Sequence, residues 1–330
     1  MWQVKGQDNI VRLLERAVST NSLAHAYVVV GPRHVGKTTL ALNFAQALNC
    51  PNPDPPCGRC SSCRRIWAGK HPDVTLVALD YGTEISIEEV RELQRLASLP
   101  PYEGNYKVFI IDDADYLSSE AANSLLKILE EPPSKIIWLL LAVEEGRLLA
   151  TITSRCQRLE LKPLPLDQVE QVLVRDYAVE HTKAPLLARL SHGCLGWALS
   201  ALQEDDILQQ RHERITRFSS LLTASLEQRL AYAADLAGQF SQDRKSAIET
   251  LGLWLEWWRD LLLIKAGCTA HITNIDYEKA LEKQAKMLDL AEIKEFLSRL
   301  RLATQQLSQN INPRLACESL LLNLPRKTEL

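Results

Sequence analysis

Residues 28–44, VVVGPRHVGKTTLALNF, pass from an apolar run through a glycine-bounded turn into a helical pattern. The turn fits G-x-x-x-x-G-K-[ST] at every fixed position, with Gly31, Gly36, Lys37 and Thr38 in the required places. Glycines let such a backbone curl so that its N–H groups converge on phosphate oxygens, and the helix that follows adds its positive end. A lysine at this position reaches the β- and γ-phosphates, and the next hydroxyl binds Mg²⁺. Thr39 completes the expected nucleotide-binding stretch. A chance glycine turn would lack the preceding strand and the following helix. Arg33 and His34 read as variable loop residues.

A nucleotide loop of this kind needs a second element, a buried strand ending in a carboxylate. Residues 108–115, VFIIDDAD, supply one. Asp112 at the strand tip is placed to hold the magnesium. Asp113 follows where hydrolytic relatives of the motif orient the attacking water with a carboxylate. It is one methylene shorter than glutamate, and a misplacement of about 1 Å can cost roughly 10²-fold in rate. Asp115 reads as a solvated loop acid.

Around these two segments the first 165 residues alternate short apolar runs with helical patterns. AYVVV (26–30), VTLVAL (74–79), KVFII (107–111), IIWLLLA (136–142) and QRLEL (157–161) read as strands. Near-continuous apolar runs suit a parallel sheet covered on both faces. The helices between them include KTTLALNFAQALN, SIEEVRELQRLAS and SSEAANSLLKILEE, the last with Ser118 or Ser119 as cap and a stop at Pro132–Pro133. Strand and helix in succession predict a wound α/β domain with a five-stranded parallel sheet. Beyond LKPLPLDQ (161–168) the strand signal ends. Residues 166–203 read as a small helical lid and 204–330 as a larger all-α domain. Its segment LWLEWWRDLLLIKAG (253–267) reads as helical core.

The chain has 330 residues, 46% hydrophobic and 24% charged, with a net charge of −3. That length calls for more than one core. The near-neutral balance leaves nucleic-acid contact to local basic patches, for which Arg64, Arg65 and Lys70 are candidates and equally read as solvated surface. No apolar run nears the ~20 residues of a membrane span, and the first residues lack a signal-peptide core. A cytoplasmic location is expected.

Four of the eight cysteines crowd into residues 50–63, CPNPDPPCGRCSSC. Cys50, Cys57, Cys60 and Cys63 follow C-x6-C-x2-C-x2-C, which suits a closed tetrahedral zinc on a loop too polar to order itself. A redox C-x-x-C accounts for two of the four sulfurs. His71 is a spare ligand or a turn residue in HPD, the latter being the simpler reading. Cys156, Cys194, Cys268 and Cys317 read as small buried hydrophobes.

Several segments together resemble the clamp-loader AAA+ subunits of bacterial DNA polymerase III. They are KGQDNIVRLLERAV, LAHAYVVVGPRHVGKTTLA, the inserted cysteines, LSSEAANSLLKILEEPP, LLATITSRCQRLEL and NINPRLACESLLL. The resemblance implies an AAA+ domain, a lid and a C-terminal helical collar within a hetero-pentameric ring of gamma/tau, delta and delta-prime subunits. That ring opens a sliding clamp and places it on primed DNA, as part of a nucleotidyltransferase holoenzyme. The arginine of the SRC motif, here Arg155, is in this family presented in trans to the γ-phosphate on an adjacent subunit; from physics alone it would read as a surface residue. Within the family the chain is similar to the delta-prime branch, whose own ATPase activity is weak or absent. Gly196 in GCLGWAL stands where gamma/tau motors carry a nucleotide-sensing arginine. Val143 stands near a motor's polar residue, and Asp112–Asp113 replaces Asp–Glu. The intact phosphate loop favours the alternative, an ATPase motor of the gamma/tau type. A stand-alone P-loop kinase would leave the helical C-terminal half without a purpose.

Overall fold

The computed structural model describes residues 2–79, 84–308 and 311–325. Residue 310, which opens the NINPRLACESLLL stretch, and residues 326–330 of the expected collar lie outside these. The chain divides into two compact units, residues 1–169 with 192–197, and residues 170–191 with 198–330.

The first unit is built on five parallel strands, β1 (Ala26–Val30), β2 (Val74–Val77), β3 (Lys107–Ile111), β4 (Ile136–Ala142) and β5 (Gln157–Glu160). Their order is β2-β3-β4-β1-β5. Its helices are α1 (Asp8–Ser19), α2 (Lys37–Asn49), α3 (Ser61–Trp67), α4 (Ile87–Ala97), α5 (Ser119–Glu130) and the short α6 (Ala150–Thr153). All residues of β1, β3 and β4 are buried, as continuous apolar strands between two helical layers must be. Alternate residues feed two cores. Val28, Phe109, Trp138 and Leu140 face one side, where Phe109 stacks on Trp138 at 4.6 Å. Tyr27, Val29, Ile110 and Leu139 face the other with α2, and Tyr27 meets Phe44 edge-on at 5.2 Å.

Caps set the helix starts. The Ser118 hydroxyl accepts from Ala121 N–H, which chooses between the two candidate serines for α5. Ser86 and Glu89 form a reciprocal capping box on α4. Of the two edge strands, β2 stops at Val77, two residues short of the expected 74–79, whereas β5 fills 157–160 and Leu161 N–H still donates to Val30 O at 2.8 Å.

The remaining helices are α7 (Leu166–Tyr177), α8 (Ala184–Leu190), α9 (Leu195–Gln203), α10 (Asp205–Ser220), α11 (Leu226–Gln242), α12 (Arg244–Lys265), α13 (Glu278–Met287), α14 (Leu290–Ser308) and α15 (Pro313–Leu322). The expected class, α/β followed by all-α, is what is observed. In the second unit Trp254, Trp257 and Trp258 on α12 are at most 1% exposed. Their i, i+3, i+4 spacing puts them on one buried face, where Trp254 stacks on Phe218 at 4.4 Å and Trp258 packs against Phe296. Arg229, 1% exposed on α11, donates to the carbonyls of Leu221, Leu222, Leu324 and Pro325. One guanidinium thereby ties the end of α10 to the residues that follow α15.

Of the four scattered cysteines, Cys194 and Cys317 are buried as expected and Cys156 is half-buried. Cys268 is a correction. It is exposed, at the turn that closes α12.

Candidate nucleotide and metal sites

The phosphate loop leaves β1 and enters α2 through Gly36, whose φ of 104° is open to glycine without strain. Lys37 is 8% exposed, and its ammonium donates to the carbonyls of Gly31 (2.8 Å) and Pro32 (3.0 Å). Burial lowers its pKa, against the opposing pull of Asp112, Asp113 and Asp115. The Thr38 hydroxyl donates to Asp112 Oδ2 at 2.7 Å, so the two expected magnesium ligands are already neighbours. Thr39, half-buried, follows on the same helical turn. The residues fit a nucleotide with its metal: a buried cation, a hydroxyl–carboxylate pair and a helix N-terminus converge on one loop.

Asp113 has a φ of 51°, and its N–H donates to Asp112 Oδ1 at 3.0 Å. Its pKa is raised, first by burial and then by the Asp112 charge. Arg33 is more than a variable loop residue. Its guanidinium lies 3.9 Å from Asp113 Oδ1 and 3.4 Å from the Tyr116 hydroxyl. Asp115 also departs from its sequence reading. It is half-buried, and its carboxylate accepts from Val143 N–H (3.4 Å), just beyond the tip of β4. That bond ties the acidic turn to the position where the sequence has valine.

His34 joins the loop to residue 196 through its backbone. It sits at φ 62°, and its carbonyl accepts from Gly196 N–H at 2.9 Å. A Cβ on residue 196 would stand 2.6 Å from that oxygen. Glycine is therefore required by close approach, and no side chain projects from 196 toward the loop.

The four clustered cysteines do come together. Their sulfurs all lie within 4.8 Å of one another, and among the described residues no other ligand group joins the cluster. A tetrahedral ion with bonds of about 2.3 Å spaces its sulfurs about 3.8 Å apart, so the set fits a metal with little contraction. Backbone N–H groups of Arg59 and Cys60 pull the Cys57 thiol down to about 6, while burial pushes Cys63 up to about 12. The Asn52 amide donates to Cys57 Sγ at 3.0 Å. His71 stands outside the cluster. Its Nδ1 accepts from Asp73 N–H, so its Nε2 carries the proton toward Ser62 (3.2 Å) and Glu103 (3.3 Å). The HPD turn has a structural task as well: the buried Asp73 accepts from the N–H groups of Tyr102, Glu103 and Gly104 at 2.6–2.9 Å.

Arg155 lies on the surface after α6. Its Nη1 donates to Thr151 O (2.9 Å), and its Nη2 pairs with Glu130 (2.8 Å) at the end of α5. These partners lie on α5 and α6, apart from the phosphate loop and the cysteines.

Sequence reasoning missed the buried amides of α2. Asn43, Gln46 and Asn49 are 0%, 2% and 5% exposed. Their three-residue spacing on a helix made, beyond Lys37, Thr38 and Thr39, otherwise of Ala, Leu and Phe was the available signal.

A family profile described as DNA polymerase III, delta subunit, matches residues 6–165. The profile of that subunit's C-terminal domain matches residues 205–326. The chain belongs to the DNA polymerase III delta-subunit family. It is 29% identical over 319 residues to the delta-prime subunit of Bacillus subtilis, covering 96% of both proteins. It is also 28% identical over 336 residues to the tau subunit of that organism, covering 96% of this chain and 59% of tau. The tau subunit of Escherichia coli is 36% identical over 204 residues, covering 60% of this chain and 31% of tau. This member of the delta-subunit family thus spans nearly the whole of one delta-prime relative but only a third to three-fifths of the tau relatives.

Proposed function

We propose that this chain is a delta-prime-type subunit of a bacterial clamp loader, in which Arg155 is lent to a triphosphate on a neighbouring subunit. The observation that carries the reading is Gly196. Its N–H is bonded to His34 O and its Cα lies too near for any side chain, so the position offers no arginine to sense a nucleotide on this chain's own loop. A partly exposed Arg155, paired with Glu130 at the end of α5, supports delivery across an interface. The partners in this reading are gamma/tau and delta subunits in a five-membered ring, acting on a sliding clamp and primed DNA in the cytoplasm. The domain division is the AAA+ domain 1–165, lid 166–203 and collar 204–330.

Cys50, Cys57, Cys60 and Cys63 hold a structural zinc in this proposal, an ion suited to four thiolates and closed to substrate. Gly31, Gly36, Lys37, Thr38, Thr39 and Asp112 form a pocket for ATP with magnesium. Lys37 would exchange its two carbonyl partners for phosphate oxygens, and Thr38 with Asp112 would hold the ion. Asp113, one methylene short and drawn toward Arg33, is a poor orienter of water. Binding without appreciable turnover is the result.

The intact Thr38–Asp112 pair is what favours the second reading, a gamma/tau-type motor. ATP hydrolysis by the isolated chain, measured before and after adding the sister subunits, separates the two. Turnover that appears only in the mixture and survives Lys37→Ala supports the donor. Turnover by the isolated chain that is abolished by Lys37→Ala establishes the motor.

A further inference from the structure

We infer that the cysteine cluster holds the N-terminal arm, residues 3 and 4, against the phosphate loop through a buried chain of amide hydrogen bonds along α2. The Gln46 side-chain NH₂ donates to the carbonyl of Cys63 at 2.8 Å. The Asn43 NH₂ donates to Gln46 Oε1 at 3.0 Å. Asn43 Oδ1 in turn accepts the backbone N–H groups of Gln3 (2.6 Å) and Val4 (3.3 Å). A methyl of Val4 reaches the surroundings of Gly36, lying 3.4 Å from where a Cβ would sit.

The direction of this chain is fixed by its ends. Two backbone donors stand at one end and a backbone acceptor at the other, so flipping either amide sets donor against donor and acceptor against acceptor. Both side chains are almost wholly buried, which removes water as a substitute partner and makes each link costly to lose. The Cys63 carbonyl belongs to a residue whose sulfur is in the cluster and whose N–H faces Cys60 Sγ at 3.3 Å. Loosening the cluster moves that carbonyl, and the displacement passes to Gln46, Asn43 and the arm. The cluster, at the opposite end of α2 from the phosphate loop, thereby sets the order of a segment beside Gly36.

This inference rests on the proposed zinc site, and the test keeps the two apart. Hydrogen exchange of the Gln3 and Val4 amides is followed by mass spectrometry on the peptide beginning at Met1 of the full chain, with metal content measured in parallel. Chelating the metal should speed that exchange by about tenfold, the loss of one buried hydrogen bond. Gln46→Met, with its metal retained, should do the same while exchange in α14 stays unchanged. Slow exchange at the arm after the metal has been stripped overturns the coupling alone. So does slow exchange in metal-bearing Gln46→Met. A chain that never binds metal overturns both the coupling and the zinc assignment.

Discussion

Replacing Gly196 by alanine adds one methyl group at a tight backbone contact with the phosphate loop. The new Cβ would lie 2.6 Å from His34 O and 3.3 Å from both the carbonyl carbon and Cα of His34. Ordinary carbon–oxygen contact needs about 3.3 Å, so the two segments must part by roughly 0.7 Å. That movement stretches the Gly196 N–H bond to His34 O, now 2.9 Å. Overpacking of this kind costs about 1–3 kcal/mol, and the weakened bond falls within that range. With a urea slope of about 2–3 kcal/mol/M, a loss near 2 kcal/mol moves the unfolding midpoint of the first unit down by about 0.7–1 M. Exchange of the Gly196 amide should rise in parallel. Gly196→Arg meets the same clash at its Cβ and gains no sensing function, so it should lose at least as much stability without acquiring turnover. A midpoint within about 0.2 M of the parent for Gly196→Ala would refute the close approach of residue 196 to His34, and with it the support that approach lends to the donor role.

Other perturbations address separate parts of the molecule. Purified protein should carry about one zinc per chain, and Cys60→Ser should lose most of it on dialysis and make the 51–62 loop open to protease, while the Thr38–Asp112 pair survives. Asp73→Asn should destabilise the first unit by about 2–4 kcal/mol at neutral pH, read by urea unfolding. Burial alone would raise the Asp73 pKa, but its three backbone donors outweigh it and the pKa is lowered. Its contribution is therefore full above about pH 4, the unfolded carboxylate range, and fades as pH falls through the lower folded value; the stability gap between the parent and the Asp73→Asn variant should shrink on acidification. Arg229→Met should cost the second unit about 3 kcal/mol, because several buried carbonyls lose their donor, and it should leave exchange in β1 and β4 unchanged.

Much of the fold was legible because the first unit obeys local rules. Residues 37–49 begin and end as a helix where the pattern says, and β1, β3 and β4 coincide with their apolar runs. The edge strand β2 was overread by two residues, since an apolar run does not say where pairing stops. The cysteine spacing and the glycine-lysine loop were readable because ligand geometry constrains residues close in sequence. What escaped was contact across long separations. His34 and Gly196 meet through backbone atoms; the glycine at 196 permits the approach, but its identity does not name the partner. Asp115 reads as a loop acid until the tip of β4 places an N–H beside it. Asn43 and Gln46 look like helix-compatible polar residues until their burial is known, and Cys268 looks like its buried counterparts because its neighbours are apolar.

The most direct measurement is ATP turnover by a reconstituted five-subunit loader containing Arg155→Ala in this chain, with Arg155→Lys as the companion. A guanidinium supplied in trans is worth on the order of 10³-fold or more. Hydrolysis at the facing site should collapse in both variants, reducing total turnover by that site's share, while subunit assembly and zinc content are unchanged. Turnover equal to that of the parent complex, with the variant chain shown to be in the ring, would contradict the account.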